Sequence, residues 1–318
     1  MADGHETPMP TGPRRAERIP VSALPAVAKR TLARYRAENM TDSAAALTYY
    51  GLLALFPTLI ALVALLGILG RDPETTNALL DIVSEVASEE TVEAVREPLQ
   101  SVIENRGGAG ALLGIGLIGA LWSASGYIGA FSRAGNVIWE VDEGRPFWRW
   151  KPLQIVIALA MIIMLAMLAI AIVISGELAQ AVGEAIGAGD ELVLAWSIAK
   201  WPVVGLFAVG MISVLFWSTP NVRNRGIPGM TIGAALAIIL WVIASALFAF
   251  YVSRFGSYNA TYGSLGGIVV LLVWMWISNN ALLLGAELDA EIERERELRA
   301  LEPGAEREIQ LPEREPSG

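Results

Sequence analysis

The sequence predicts an all-α protein, a polytopic bundle of six transmembrane helices with amphipathic helices outside the membrane. Three observations predict it. Hydrophobic residues make up 54% of the 318 and charged residues only 17%. The charges are segregated, leaving six long apolar stretches at about 44–70, 109–133, 152–175, 192–217, 229–252 and 266–287. At about 1.5 Å per residue, each of these is long enough, as a helix, to cross a hydrocarbon core of about 30 Å. Finally, Lys and Arg gather in alternate connecting segments, as they do in chains threaded through a bilayer.

Residues 1–24 are polar and punctuated by proline, so they read as a disordered leader. They lack the apolar core and small-residue cleavage site of a secretory signal. The first apolar stretch is therefore expected to remain as an anchor. Residues 25–43 begin with PAVAKRTLARYRAEN, which sets Val27, Leu32 and Tyr35 among Lys29, Arg30, Arg34 and Arg36. A basic amphipathic helix of this kind suits the surface of an anionic leaflet, its alternative being an ordinary solvated helix.

Span one, 44–70, carries no charge, and Pro57 in its middle predicts a kink because it cannot donate to the carbonyl four residues back. Residues 71–106 hold nine carboxylates and three arginines. Apolar positions such as Leu79, Ile82, Val83 and Val86 recur there at helical spacing. One or two outer amphipathic helices are expected over 72–106.

Span two is studded with small residues, among them Gly110, Gly114, Gly119, Ser123, Gly126 and Ala130. Such residues let membrane helices approach closely, so this helix is expected at the centre of the bundle. The following loop mixes Arg145, Arg149 and Lys151 with Phe147, Trp148 and Trp150, an interfacial belt on a basic side. Span three is the most uniformly apolar and is expected to meet lipid most. Span four is interrupted near its start by Lys200 and Pro202, and Lys200 is expected to snorkel to the interface. Span five opens with Gly229 and Gly233, four apart. A polar turn with Asn259 and Tyr262 leads into span six. The tail, 289–318, alternates acid and base and is expected to carry the last helix into solvent and fray at Pro303.

Placing both tails, the Arg133–Lys151 region and the Arg223 loop on one side collects 18 of the 23 basic residues there. An excess of Lys and Arg marks the cytoplasmic side, so both termini are expected inside.

The chemistry is narrow. There is no cysteine, and the one histidine, His5, lies in the leader. Thiolate chemistry, histidine general-base catalysis and the usual zinc sites are excluded, and no metal or cofactor site is expected. No phosphate-binding or dinucleotide glycine pattern appears, and no basic stripe suited to nucleic acid. What remains is polarity near the spans, which is costly in lipid and hence suggestive. Thr48, Tyr49 and Tyr50 lie near the inner end of span one, Asn279 and Asn280 within span six, and Glu287 at its inner end. Interhelical hydrogen bonding is the plainer reading for the two asparagines. An interfacial acid leading into the tail is the plainer reading for Glu287.

Two stretches carry a resemblance: DSAAALTYYGLLALFPTLIALVALLG from Asp42 to Gly67, and YNATYGSLGGIVVLLVWMWISNNALLLGAELDAE from Tyr258 to Glu291. They resemble the signatures of the YihY/BrkB family, in order and spacing, and the likeness extends from about Leu32 to Glu297. The resemblance implies a bacterial inner-membrane protein of six spans. Asp42, Tyr49, Tyr50, Pro57, Asn259, Tyr262, Gly263, Gly266 and Glu287 are the matching positions, with no catalytic role to carry over. The old label of that family, ribonuclease BN, does not suit a chain with one tail histidine. Some members are linked with serum resistance or with export of lipid precursors.

The first functional expectation is therefore transport or flipping of a lipid or other amphiphile, with membrane lipids as partners. The alternative is a non-enzymatic scaffold or envelope-assembly factor, whose partners are copies of itself or other envelope proteins. A membrane-embedded enzyme would have to rely on a carboxylate such as Glu287. A cavity lined by Tyr49, Tyr50, Asn279 and Glu287, or a lateral opening between spans, would favour transport; a dry, tightly packed bundle would favour the scaffold.

Overall fold

A computed structural model of the protein describes residues 19–69, 109–173, 190–224, 226–254 and 264–316. The expected disordered leader up to residue 18, the expected outer helices over 72–106 and the expected turn with Asn259, Tyr262 and Gly263 lie outside the described residues.

Seven α-helices account for most of what is described: α1 (Leu24–Ala37), α2 (Met40–Leu69), α3 (Ala109–Ile138), α4 (Phe147–Val173), α5 (Asp190–Ser218), α6 (Thr231–Arg254) and α7 (Ser264–Arg299). Short 3-10 turns at Val21–Ala23 and Ile227–Met230 lead into α1 and α6. Five of these helices, α3 to α7, are long and apolar enough to cross a membrane. In addition α2 is 30 residues long and carries its one acidic residue, Asp42, in its first turn.

The long helices form a ring in chain order. Each packs on the next, and α7 closes the ring against α2, while α1 lies across the end of α7. Among the five, α3 is the most enclosed, as its small residues predict. A Cβ on Gly126 would sit 3.3 Å from the Tyr50 ring, and one on Gly135 would sit 3.5 Å from Pro220. Gly114 has nothing within 4 Å among the described residues.

The helices run past charges and prolines that bound the apolar stretches: α3 continues through Arg133 to Ile138, and α4 begins at Phe147, ahead of Pro152. Helix α5 runs unbroken through Lys200 and Pro202. A membrane helix tolerates proline because the loss is one hydrogen bond, and leaving the helix in lipid would orphan many. Nor does Lys200 snorkel: it is buried, with its ammonium 5.1 Å from the Trp201 ring centre. Pro57 likewise falls within the range of α2, its side chain outside the described residues. The widest lipid-type exposure is also not confined to α4, because α6 presents Ile239, Val242, Leu247, Phe250 and Tyr251 outward.

The buried core sits at one end of the bundle, where Met40, Leu47, Phe131, Ile138, Phe216, Val222 and Leu283 meet. Phe131 and Phe216 stack there with centres 5.8 Å apart. The expectation that the tail frays at Pro303 is overturned at this end. After α7 the chain turns back, burying Ala305 and Ile309. It then pairs with the segment between α5 and α6. Arg223 N–H donates to the Pro312 carbonyl (2.8 Å), Arg314 N–H donates to the Asn221 carbonyl (3.0 Å), and Val222 bridges Glu313. An exposed backbone edge with unpaired groups is satisfied by any strand that fits it, and the tail supplies one.

Candidate functional site

Two groups of polar side chains stand out, and they do not coincide. The first belongs to α7. The Asn279 side-chain oxygen accepts from the Tyr127 hydroxyl (2.8 Å), and its amide donates to Thr48 Oγ1 (3.1 Å), so α7, α3 and α2 are tied at one level. Asn280 accepts from the Tyr35 hydroxyl of α1 at 2.6 Å. Burial, with the Glu287 charge adding to it, pushes the Tyr35 hydroxyl up to about 12, so it stays a donor.

One to four turns further on, α7 carries a line of buried carboxylates. Glu287 and Glu291 are fully buried and Asp289 nearly so. Arg34 of α1 lies among Glu38, Glu140 (2.8 Å), Glu287 (3.5 Å) and Glu291 (3.5 Å). Arg30 grips Glu291 and Glu295, each at 2.8 Å, and Arg294 reaches Glu140 at 2.5 Å. Glu140 also accepts from the Ile309 N–H of the tail (2.8 Å). The tail acids were read as a solvated face and Glu287 as an interfacial acid; both sit instead inside an ionic layer joining α1, the end of α3, α7 and the tail. Burial of a charged carboxylate is costly unless it is paired, and Glu287, Glu291 and Glu295 face arginines of α1 far away in sequence, whereas Asp289 accepts the Gly233 N–H.

The second group surrounds a partly open cavity of about 530 Å³ between α2, α3 and the start of α4. Tyr50 and Leu53 form one wall, Trp122, Gly126 and Arg133 another, and Trp150, Lys151 and Gln154 a third. Its geometry follows from small residues. The Tyr50 ring lies on Gly126, and the Gln154 amide lies so close to Gly129 that a Cβ there would approach it to 2.9 Å. In its satisfied orientation that amide accepts from Trp150 Nε1 (2.6 Å) and donates to the Ser125 carbonyl (3.2 Å).

The charges in this cavity are unequally used. Glu143 accepts from Arg145 Nε and Nη2, each at 2.6 Å, and from Asn136 Nδ2 at 3.0 Å. Burial alone would push its carboxyl up, but the Arg145 bonds and charge, with Asn136, hold it below the usual carboxylate range. Arg145 is itself stacked on Trp150 at 3.5 Å and donates to Ser132 and the Thr219 carbonyl. By contrast, Lys151 donates to one neutral hydroxyl, Ser125 Oγ (2.7 Å), and lies 4.6 Å from the Trp122 ring centre. Among the described residues Arg133 has no carboxylate partner, and its guanidinium is 5.7 Å from the Tyr50 ring centre. Among the described residues the cavity thus holds two cations without counter-ions.

A second cavity, about 320 Å³ and almost wholly apolar, lies among α2 to α5 and is lined by Gly51, Tyr127, Ile128, Ala158, Met161 and Leu215, among others. Among the described residues no group of three or more His, Asp or Glu could hold a metal ion.

The sequence-derived candidates are therefore divided. Asn279, Asn280 and Glu287 join the packed layers, Tyr50 lines the basic cavity, and Tyr49 is 58% exposed and points outward, edge-on to Tyr50. Asp42 is exposed at the start of α2, and Gly266 is buried near the start of α7. The single cavity lined by Tyr49, Tyr50, Asn279 and Glu287, whose presence would have favoured transport, does not form among the described residues. Arg133 and Lys151 served only to orient the chain in the sequence reading. Their neighbours at helical spacing, Trp122, Gly126 and Gly129 before Arg133 and Trp150 and Gln154 around Lys151, were the available sign of a shared face.

Comparison with known proteins fits this architecture. The chain is 33% identical over 270 residues to the ribonuclease-like protein YfkH of Bacillus subtilis, covering 85% of this chain and 96% of that one. It is 30% identical over 269 residues to a UPF0761 membrane protein of Vibrio campbellii, covering 83% and 81%. A UPF0761 membrane protein of Alkalilimnicola ehrlichii is 30% identical over 260 residues, 80% of this chain and 55% of that longer one. No solved structure matches. The family described as Virulence factor BrkB matches residues 31–309, from within α1 through the ionic layer of α7 to Ile309 in the returning tail, so this chain is a membrane protein of the BrkB family.

Proposed function

We propose that this protein binds a lipid or other amphiphile and moves it across the bacterial inner membrane. In this reading α2 to α7 are six spans and both termini are cytoplasmic. The observation that carries it is the cavity between α2, α3 and α4, whose lining combines charged and aromatic side chains with the exposed apolar Leu53, Trp122 and Phe147. An amphiphile needs such a place, polar at one end and open sideways to lipid.

The scaffold alternative leans on the acidic segment 72–106, which lies outside the described residues, and on a free charged tail, whose acids from Glu287 to Glu297 are buried. The reading is also non-catalytic. Glu287, the carboxylate best placed for embedded chemistry, is wholly buried against Arg34, and the only histidine is His5. The name ribonuclease-like belongs to the Bacillus relative and finds no matching chemistry in this chain.

Reconstitution tests the proposal. Proteoliposomes should move fluorescently labelled phospholipid between leaflets faster than empty liposomes, as read by dithionite quenching. Rates equal to those of empty liposomes across lipids of differing headgroup would defeat it.

A further inference from the structure

We infer that the cavity between α2, α3 and α4 receives the phosphate of an anionic phospholipid, held by Arg133 and Lys151, with acyl chains laid along the outer face of α3. The inference deepens the amphiphile reading above and rests on it. Three observations select this ligand. The cavity holds two cations, and its one carboxylate, Glu143, is already taken up by Arg145 and Asn136. Guanidinium and ammonium groups without counter-ions favour an anion, and charge-assisted bonds to phosphate are the strong ones.

A zwitterionic headgroup is poorly served at the same place. Its ammonium would need a free carboxylate or an open aromatic face. Glu143 is not free, and three of the four rings lining the cavity already carry cations, Trp122 facing Lys151, Tyr50 facing Arg133 and Trp150 facing Arg145.

The third observation separates a lipid from a free anion. Along α3 the lining residues Arg133, Gly129, Gly126 and Trp122 continue on the same helical face to Ile118 and Ile115. Those isoleucines are 71% and 68% exposed, and Trp122 is 59% exposed. An apolar stripe therefore leads straight out of the charged pocket, and it is of no use to inorganic phosphate. Residues three and four apart on a helix lie one above another, so the stripe follows the direction an acyl chain takes away from its headgroup.

Native mass spectrometry of the detergent-purified full chain, offered phosphatidylglycerol and phosphatidylcholine together, tests this. Wild type should retain phosphatidylglycerol in preference by about tenfold or more, as one charge-assisted bond implies. The Arg133→Gln/Lys151→Gln double variant should lose the preference. Arg149→Gln should keep it, since Arg149 is exposed and outside the cavity. Equal retention of the two lipids by wild type, or an undiminished preference in the double variant, overturns the inference. So does complete displacement of the lipid by millimolar inorganic phosphate, which would make the site one for a free anion.

A diazirine-bearing phosphatidylglycerol provides a test on unaltered protein, should the double variant not fold. Its crosslinks should fall on peptides covering 115–133 and 147–154, and crosslinks confined elsewhere overturn the site. Selective binding without lipid movement in proteoliposomes would leave this site standing and remove the transport reading. Movement of lipid without selective binding would do the reverse.

Discussion

Gly233 of α6 and Gly285 of α7 meet backbone to backbone: a Cβ on the first would lie 2.1 Å from the Gly285 carbonyl oxygen, and one on the second 2.4 Å from that of Gly233. The contact is held by Asp289, whose Oδ1 accepts the Gly233 N–H at 2.7 Å. That bond satisfies a donor in the first turn of α6 that has no partner within its own helix. Gly233→Ala and Gly285→Ala should each lower stability by about 1–3 kcal/mol, because backbone cannot give way as a flexible side chain can. Gly205→Ala and Gly210→Ala, at positions with nothing within 4 Å among the described residues, should be neutral or slightly stabilising. Thermal unfolding of the detergent-solubilised protein compares all four.

The returning tail depends on Asn221, which is fully buried. Its Nδ2 donates to the Asp142 (2.9 Å) and Glu315 (2.7 Å) carbonyls, and its Oδ1 accepts from Glu315 N–H (3.1 Å). Asn221→Ala leaves these buried groups unmatched, a loss of about 1–3 kcal/mol local to the tail. Trypsin should then cut after Arg314 several-fold faster than in wild type, while the helical bundle keeps its melting temperature within a few degrees. An unchanged cleavage rate would show that other contacts hold the tail.

Five of the six expected stretches return as helices long and apolar enough to cross a membrane, and they were legible because lipid demands apolar residues from end to end, a signal that needs no periodicity. The ionic layer was not. Arg30 and Glu291 bond to each other across 261 positions, and nothing local to either marks the pairing. Glu287, Glu291 and Glu295 therefore read as the start of a solvated tail, although Arg30 and Arg34 of α1 permit their burial. The cavity was half legible: Tyr50 stood out as polarity in a span, whereas Arg133 and Lys151 were absorbed into the charge rule. That rule uses them as counts and says nothing of which face they occupy.

Two glutamates should give opposite responses to pH. The Glu143 carboxyl is held below its ordinary value of 4.5: burial raises it, and the Arg145 bonds and charge with Asn136 outweigh burial. Its contribution is present above pH 4.5 and is lost as pH falls through the lowered value. The Glu38 carboxyl is raised, by burial first and by Glu140, against the opposing charge of Arg34. It favours folding below 4.5 and loses that contribution as pH rises toward its raised value. At pH 7, Glu143→Gln should melt below wild type and Glu38→Gln above it. Both differences should shrink on acidification through pH 4.5, and a difference that grows would contradict the assigned sign.

Removing Arg34 tests whether the ionic layer is held by pairing. Arg34→Met leaves Glu287 and Glu291 short of a counter-charge in a buried place, where an unpaired charge costs about 3–5 kcal/mol. Adding Glu287→Gln removes one of those charges and should recover part of the loss. The double variant should therefore unfold at a higher temperature than Arg34→Met alone. Additive losses in the two single variants would mean that Arg34 and Glu287 do not interact.

Leu301 and Glu140 occupy the same backbone conformation and should respond oppositely to glycine. Each follows the end of a helix with φ in the left-handed region, 55° at Leu301 and 56° at Glu140. Each is closed by the same pair of bonds: Leu301 N–H to Leu298 O with Glu302 N–H to Glu297 O, and Glu140 N–H to Val137 O with Val141 N–H to Asn136 O. This is the turn in which helices favour glycine, and a side chain there costs about 1–2 kcal/mol. The Leu301 side chain is 86% exposed and makes little use of its place, so Leu301→Gly should stabilise the protein by about 1 kcal/mol. Glu140 bears the same strain but bonds Arg34, Arg294 and the Ile309 N–H. Glu140→Gly relieves the backbone and unfastens α1, α7 and the tail, so it should lower the melting temperature. A rise in both variants would show that the ionic contacts of Glu140 are worth less than the turn that presents them.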